Sequence, residues 1–373
     1  MSLKDVIGQD KAVDIILRTL SRERVPSAYL FAGESGIGKR FTALNLAKAV
    51  NCERAVSSQQ LAVSGQRDNG KLSEGLSAID YRLLDCCDEC ISCKKIDSGT
   101  HPDFLLVSPE KGEIRIDEIS AVEEALSFRP YEGREKVVII DDADTMNQPA
   151  ANAFLKTLEE PPEDSLLILA AANPDRLPET IRSRCSRLNF KPISYEACER
   201  VIKAVSGQHS AVRTKSQGSG LRGQESKGKG IEDSHLATII RLSMGRPGLA
   251  ISSDILNERE RFVSLLKNML NGNNDVWADR YEIELWFDTF LIFMRDMITV
   301  KVLDADDMKY GDILINTDMK DFISEMAGRT EVTDIIKMYY KILTLKAKLD
   351  FNLNKNITWN YTASVLKEVM GRA

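Results

Sequence analysis

The sequence predicts an α/β domain built on a parallel sheet, followed by an all-helical C-terminal region. A phosphate-loop pattern at 33–40, GESGIGKR, sits between a short apolar run and a helical pattern. Further short apolar runs at 104–107, 136–141 and 166–171 alternate with helical spacing, as parallel strands with crossover helices do. Beyond residue 255 no strand pattern occurs, and apolar residues recur only at helical spacing.

Taken in order, 27–33 (SAYLFAG) reads as a buried strand running into a glycine loop. Residues 39–50 read as a helix, with Phe41, Leu44, Leu46 and Ala47 apolar. The runs at 104–107, 136–141 (KVVIID) and 166–171 (LLILAA) are the other strands, with helices near 117–126 and 149–158 between them. The crevice beyond the carboxyl ends of such strands is the expected ligand site. The segment 206–234 is rich in Gly, Ser, Lys and Gln and poor in large apolar groups, so it is expected to be disordered. Its Arg213, Lys215, Arg222, Lys227 and Lys229 could touch DNA phosphates, against the plainer reading of an inert surface insertion. The polar stretch 53–85 reads the same way, with a short helix near its end. Helical spacing returns at 262–270, 286–302, 322–326, 335–349 and 362–370, and the aromatics of this C-terminal region, including Trp277, Trp286 and Trp359, are expected in its core. The domains expected are therefore an α/β domain at 1–190, a small helical lid at 191–254 with the insertion 206–234, and a helical collar at 255–373.

Net charge is −6, which argues against a wholly basic nucleic-acid binder but leaves room for a local basic face. No apolar stretch is long enough for a membrane helix, and the N-terminal residues lack the apolar core of a signal peptide, so a cytoplasmic protein is expected. The chain's 7 cysteines then point to metal binding sooner than to disulfides.

Gly33, Gly36, Gly38 and Lys39 supply the loop and lysine of a phosphate cradle, but Arg40 stands where the template has Ser or Thr. A guanidinium has no acceptor lone pair and cannot replace the hydroxyl that holds Mg²⁺. The loop can still offer backbone N–H groups to phosphates. Asp141 and Asp142 follow the strand KVVII, the Walker B pattern in which the first acid holds the metal. Where hydrolysing proteins carry Glu to position water, Asp142 is one methylene shorter. Nucleotide binding is expected to be weak or absent and hydrolysis lost.

Cys87, Cys90 and Cys93 lie within seven residues, and Cys52 closes the helix after the loop. Four thiolates make a closed, structural zinc site. Cys86 competes with Cys87 as a ligand, and free thiols are the alternative. An iron–sulfur run would need a cysteine at 97, where Asp97 stands. Cys185 and Cys198 read as buried hydrophobes. Arg182, Arg184 and Arg187 follow the last buried strand; by spacing alone they read as solvated charges, though an arginine on a rigid loop can stabilise transition-state charge in a neighbour's site.

With these residues in hand, the chain resembles the AAA+ clamp-loader subunits of bacterial DNA polymerase III. The segments that match are VIGQDKA at 6–12, the phosphate loop, the cysteine cluster, GTHPDF at 99–104, FLKTLEEPP at 154–162 and LPETIRSRC at 177–185. The helical C-terminal part is similar only in general pattern. The resemblance implies that Arg184 is an arginine finger reaching into the ATP site of an adjacent tau/gamma subunit. It implies that Cys52, Cys87, Cys90 and Cys93 are the zinc ligands, although 53–86 is longer than the family's usual spacing. It also implies partners: tau/gamma and delta subunits, the sliding clamp and, through the complex, primed DNA. ATPase members carry a polar sensor where Ala171 and Ala172 stand and an arginine sensor where Gly248 stands, with Arg246 two residues early and expected to face elsewhere. The chain is thus expected to be a stator without its own ATPase. The alternatives are an active tau/gamma-type motor and, from another class, a zinc-dependent DNA-binding protein.

Overall fold

The computed structural model describes residues 1–22, 24–54, 84–109, 112–213, 233–252, 255–272, 277–303, 313–349 and 354–370. Most of the stretch 53–85, and residues 214–232 of the expected insertion, lie outside these. The chain divides into two compact units, 1–214 with 245–249 and 215–244 with 250–373, so that the expected lid segment 191–254 contributes to both.

The first unit is built on β1 (Ala28–Ala32), β2 (Phe104–Val107), β3 (Lys136–Ile140), β4 (Ser165–Ala171) and β5 (Ser186–Asn189). All the pairings are parallel, in the order β2-β3-β4-β1-β5, with Leu30 opposite Leu169 and Val138 opposite Leu167. Its helices are α1 (Asp10–Ser21), α2 (Lys39–Asn51), α3 (Ile91–Asp97), α4 (Ile116–Leu126), α5 (Gln148–Glu159), the single turn α6 (Glu179–Arg182) and α7 (Tyr195–Arg213). A central strand buried on both faces reads as a near-continuous apolar run. That is why β1 and β4 are buried at all of their residues. Alternate residues serve the two faces. Tyr29, Phe31, Val137, Ile139, Leu166 and Ile168 pack with Val13 and Ile16 of α1 and Leu46 and Val50 of α2. Leu30, Val138, Ile140, Leu167 and Leu169 pack with Val122 of α4 and Phe154 of α5. β5 forms one edge of the sheet, and in it only Leu188 is buried while the other residues are exposed.

The expected disorder of 206–234 is corrected at its start. Helix α7 continues to Arg213, and α8 (Asp233–Ser243) begins at the segment's end. Residues 206–213 contain no proline, and extending an existing helix avoids the cost of nucleating a new one. After α9 (Pro247–Ser252), the second unit continues with α10 (Ile255–Asn271), α11 (Arg280–Val302), α12 (Lys320–Arg329), α13 (Val332–Ala347) and α14 (Lys355–Met370). Its core is aromatic. Trp277 meets Trp359 edge-on at 5.0 Å, and Trp286 stacks on Phe290 at 4.9 Å. The three tryptophans are buried, as expected of this region's core. No helix among the described residues is long and apolar enough to cross a membrane.

Candidate nucleotide and metal sites

The phosphate loop lies at the carboxyl end of β1, where Gly33, Gly36 and Gly38 all have positive φ (152°, 79° and 97°). A Cβ on Gly33 would come within 2.5 Å of the Phe190 carbonyl oxygen, and one on Gly36 within 2.9 Å of the Leu249 nitrogen, so both positions need glycine for packing as well as conformation. Gly38, by contrast, faces open space and needs only its left-handed backbone to start α2. Lys39 is buried, and its Nζ donates to the carbonyls of Gly33 (2.5 Å) and Glu34 (2.7 Å). Burial lowers its pKa, while Asp142, Asp141, Asp144 and Glu34 oppose that fall.

Asp141 directly follows β3, and the Arg40 guanidinium Nη1 stands 3.4 Å from its Oδ2. The two positions that would jointly hold a divalent cation therefore hold each other, and the residues present do not fit Mg²⁺. Asp142 takes a left-handed φ of 46°. Burial and the neighbouring Asp141 and Asp144 raise its pKa, with Lys39 and Arg40 pulling the other way. Asp144 was not singled out from sequence. Its carboxylate accepts from the backbone N–H groups of Ala172 and Asn173, each at 3.0 Å, and so ties the end of β3 to the end of β4. Ala171 is buried in the sheet core, so no side-chain hydroxyl reaches the site from there.

Gly248 donates its N–H to the Gly36 carbonyl at 2.8 Å, and a Cβ at Gly248 would fall 2.8 Å from Gly36 Cα and O. A long side chain there would collide with the loop. Arg246 corrects its expectation. It precedes α9 instead of lying within it, and its Nη1 reaches Glu34 of the loop at 3.4 Å.

Arg184 lies just past α6, its Nη2 2.8 Å from Glu159 Oε1 at the end of α5 and its Nη1 donating to the Thr180 carbonyl at 2.9 Å. The neighbouring Arg182 is held apart from it by Asp175 at 2.7 Å.

The four cysteines form one cluster. The sulfurs of Cys52, Cys87, Cys90 and Cys93 all lie within 4.8 Å of one another and can hold a metal ion. Cys90 caps α3 by accepting from the Cys93 N–H, so the C-x2-C spacing is fixed by a helix start. Cys86 packs against the cluster but is not one of its four close sulfurs, and its Sγ lies near the Met1 carbonyl (3.8 Å) and Asp88 (3.7 Å). Burial raises the pKa of Cys52, Cys86 and Cys93. Burial acts the same way on Cys87, but hydrogen bonds from the backbone of Glu89 and Cys90 and the neighbouring thiols bring it down to about 7.

The cluster is anchored by Lys48, which sequence reasoning passed over. Its Nζ, buried on α2, donates to the Met1 carbonyl at 2.6 Å and pairs with Asp88 at 2.5 Å and Asp97 at 3.0 Å. The clue was a lone lysine among Ala43, Leu46, Ala47, Ala49 and Val50, where a charge has no reason to sit without partners. Asp103 is buried as well, and its carboxylate accepts from the N–H groups of Tyr131 (2.7 Å), Glu132 (2.9 Å) and Gly133 (2.7 Å).

A parallel sheet in this order, with a phosphate-loop pattern after β1 and an acid after β3, defines a P-loop fold in which Arg40 follows the loop lysine and meets that acid. The family described as DNA polymerase III, delta subunit, matches residues 8–80 and 72–194, half of the chain, and the chain belongs to that family. It is similar to DNA polymerase III subunit delta' of Bacillus subtilis (strain 168), 26% identical over 365 residues and 96% of each chain. It is also similar to DNA polymerase III subunit tau of the same organism, 34% identical over 194 residues, which are 52% of this chain and 30% of tau. The gamma subunit of Buchnera aphidicola subsp. Acyrthosiphon pisum (strain APS) is 32% identical over 202 residues, 54% of this chain and 48% of gamma.

Proposed function

We propose that this chain is a non-hydrolysing stator of the DNA polymerase III clamp loader, acting in the bacterial cytoplasm. The observation that carries the reading is the contact of Arg40 with Asp141, which leaves the phosphate loop without a place for the hydrolytic metal. Gly33, Gly36, Gly38, Lys39, Arg40, Asp141 and Asp142 then form a degenerate nucleotide site. The similarity to delta' over nearly the full length of both chains supports this role over that of a motor subunit. In this reading the chain assembles with tau/gamma and delta subunits through a helical collar at 255–373, with 191–254 as the lid. The assembly opens the sliding clamp and places it on primed DNA. Arg184 acts in trans as an arginine finger, because a guanidinium on a rigid turn can meet the charge developing on a neighbour's transferred phosphoryl group.

Cys52, Cys87, Cys90 and Cys93 hold a structural zinc. Tetrahedral Zn–S bonds of about 2.3 Å put sulfurs about 3.8 Å apart, compatible with the cluster's dimensions, and an all-thiolate set closes the site to substrate. Its chemistry would be to fix the loop before α3 against the end of α2.

A loader reconstituted with Arg184→Ala tests the trans role. Clamp- and DNA-stimulated ATP turnover is expected to fall, while the variant still assembles. Unchanged turnover would remove Arg184 from the neighbour's site. The isolated chain is expected to turn over ATP no faster than its Lys39→Ala variant.

A further inference from the structure

We infer that the cysteine site braces the exposed loop 127–135 between α4 and β3, so that metal in the cluster holds this loop in place and the loop in turn tightens the metal. This rests on the reading of Cys52, Cys87, Cys90 and Cys93 as a metal site, and it gives that site a target beyond its own loop.

The loop carries Phe128 and Tyr131, which are 67% and 86% exposed. Side chains held out in water pack against little, so the order of this loop has to come from polar contacts to its backbone and to Glu132. Those contacts come from residues that flank the metal ligands. Asn51 directly precedes Cys52. Its Oδ1 accepts from the N–H groups of Arg134 (2.8 Å) and Glu135 (3.0 Å), and its Nδ2 donates to the Glu135 carbonyl (2.9 Å). Lys95, two residues past Cys93, donates to both carboxylate oxygens of Glu132, at 2.7 and 2.8 Å. Ser92 directly precedes Cys93, and its Oγ lies 3.3 Å from His101 Nε2, which is itself 3.6 Å from Glu132. His101 Nδ1 accepts the N–H of Asp103, so the neutral ring carries its proton on Nε2 and donates to Ser92. The Asp103 carboxylate then takes the loop N–H groups of Tyr131, Glu132 and Gly133. Gly133 is enclosed by these holds, since a Cβ there would fall 2.7 Å from Asn51 Oδ1 and 3.2 Å from Asp103 Oδ2.

The two ends of the loop are supported differently. α2 has 13 residues and packs into the sheet core through Ala43, Leu46, Ala47 and Val50, so Asn51 keeps its place without metal. α3 has 7 residues, of which Ser92, Cys93 and Ile96 are buried. A helix of that length does not stand alone in water. Its N-cap is Cys90 and Cys93 lies on its buried face, so metal on these two sulfurs fixes α3, and with it Ser92 and Lys95. Loss of metal is therefore expected to release residues 131–133 and to spare 134 and 135. Coupling between two sites is reciprocal in binding free energy, so weakening the loop contact must weaken the metal by the same factor.

Hydrogen exchange of the full chain, read by mass spectrometry with fragmentation, tests this in the Zn²⁺-loaded form and after stripping with a chelator. Stripping is expected to speed exchange at 131–133 at least about fivefold, the worth of one partly exposed ion pair, with 134, 135, β1 and β4 little changed. Glu132→Gln removes the Lys95 partner and touches no metal ligand. It is expected to lower Zn²⁺ affinity about fivefold in competition with a chromogenic chelator, and circular dichroism checks that it folds. Exchange at 131–133 that ignores the metal would overturn the inference. So would wild-type Zn²⁺ affinity in folded Glu132→Gln, or exchange that rises as much in β1 and β4 as in the loop. Zinc content of the same samples separates the two readings. A chain that takes up no Zn²⁺ refutes the metal site and the brace together, whereas a zinc-bearing chain with an indifferent loop refutes the brace alone.

Discussion

Replacing Lys48 by Met keeps the aliphatic stem and removes the charge. Lys48 is 2% exposed, while its partners Asp88 and Asp97 are 28% and 43% exposed. Breaking a fully buried pair costs roughly 3–5 kcal/mol. A fully exposed pair contributes only about 0–1 kcal/mol. With the cation dry and both acids half-wet, and with Asp88 keeping the Met1 ammonium at 2.8 Å, Lys48→Met falls between these limits at about 2 kcal/mol. For a unit of this size about 2–4 °C accompanies each kcal/mol, so its melting temperature should drop by roughly 4–8 °C. Burial alone would lower the Lys48 pKa, but Asp88 and Asp97 outweigh it and raise the value. Its contribution is therefore complete below the unfolded lysine value of about 10.4 and fades as pH rises through the folded one. The Asp88 pKa is lowered by Lys48 and the N-terminal ammonium against the effect of burial. That contribution is complete above about 3.9 and fades as pH falls through the folded value. The difference between wild type and Lys48→Met should thus be flat around neutrality and shrink at both extremes. Thermal melts across pH measure it, and metal transfer to a chromogenic chelator should be faster in the variant. A shift below about 1 °C with unaltered metal transfer would refute the view that Lys48 clamps the cysteine loop to α2.

Elemental analysis of the purified chain should find zinc in stoichiometric amount. Cys93→Ser should lose it and Cys86→Ser should retain it, because only Cys93 belongs to the sulfur cluster. Asp103→Ala leaves three backbone N–H groups without their acceptor and should destabilise the first unit by about 3 kcal/mol in a denaturant melt. The Asp103 pKa is lowered because those three N–H groups outweigh burial, so this contribution should vanish as pH falls through its folded value, below about 3.9.

Strands β1 to β4 were legible in the sequence because a sheet covered on both faces demands continuous apolar runs. β5 was not, since an edge strand with one inward residue, Leu188, leaves no such run. α1 was legible but passed over, since Ala12, Val13, Ile16, Leu17 and Leu20 recur at helical spacing and pack against the sheet. The candidate site was legible where chemistry is local, as in the glycine loop, Arg40, and the spacing of Cys87, Cys90 and Cys93. It was illegible where a residue's meaning comes from a distant partner. Nothing near Arg184 in sequence announces Glu159, and nothing near Lys48 announces Asp88. The choice between Cys86 and Cys87 belongs to the same class. Adjacent side chains point in different directions, and only the placement of Cys52 shows which one faces the cluster.

The packing explains why a P-loop can outlast its chemistry. Gly33 is required by the Phe190 carbonyl and Gly36 by the backbone of Gly248 and Leu249, so both glycines are needed by the fold whether or not a nucleotide ever binds. Their presence therefore says little about activity. Lys39 is different. Holding two loop carbonyls does not require a buried ammonium, since burial disfavours the charge and any fixed N–H donor would serve them. Around that ammonium Arg40 pairs with Asp141 and Arg246 with Glu34. The two guanidinium groups at the loop's mouth are thus held by acids of the same site.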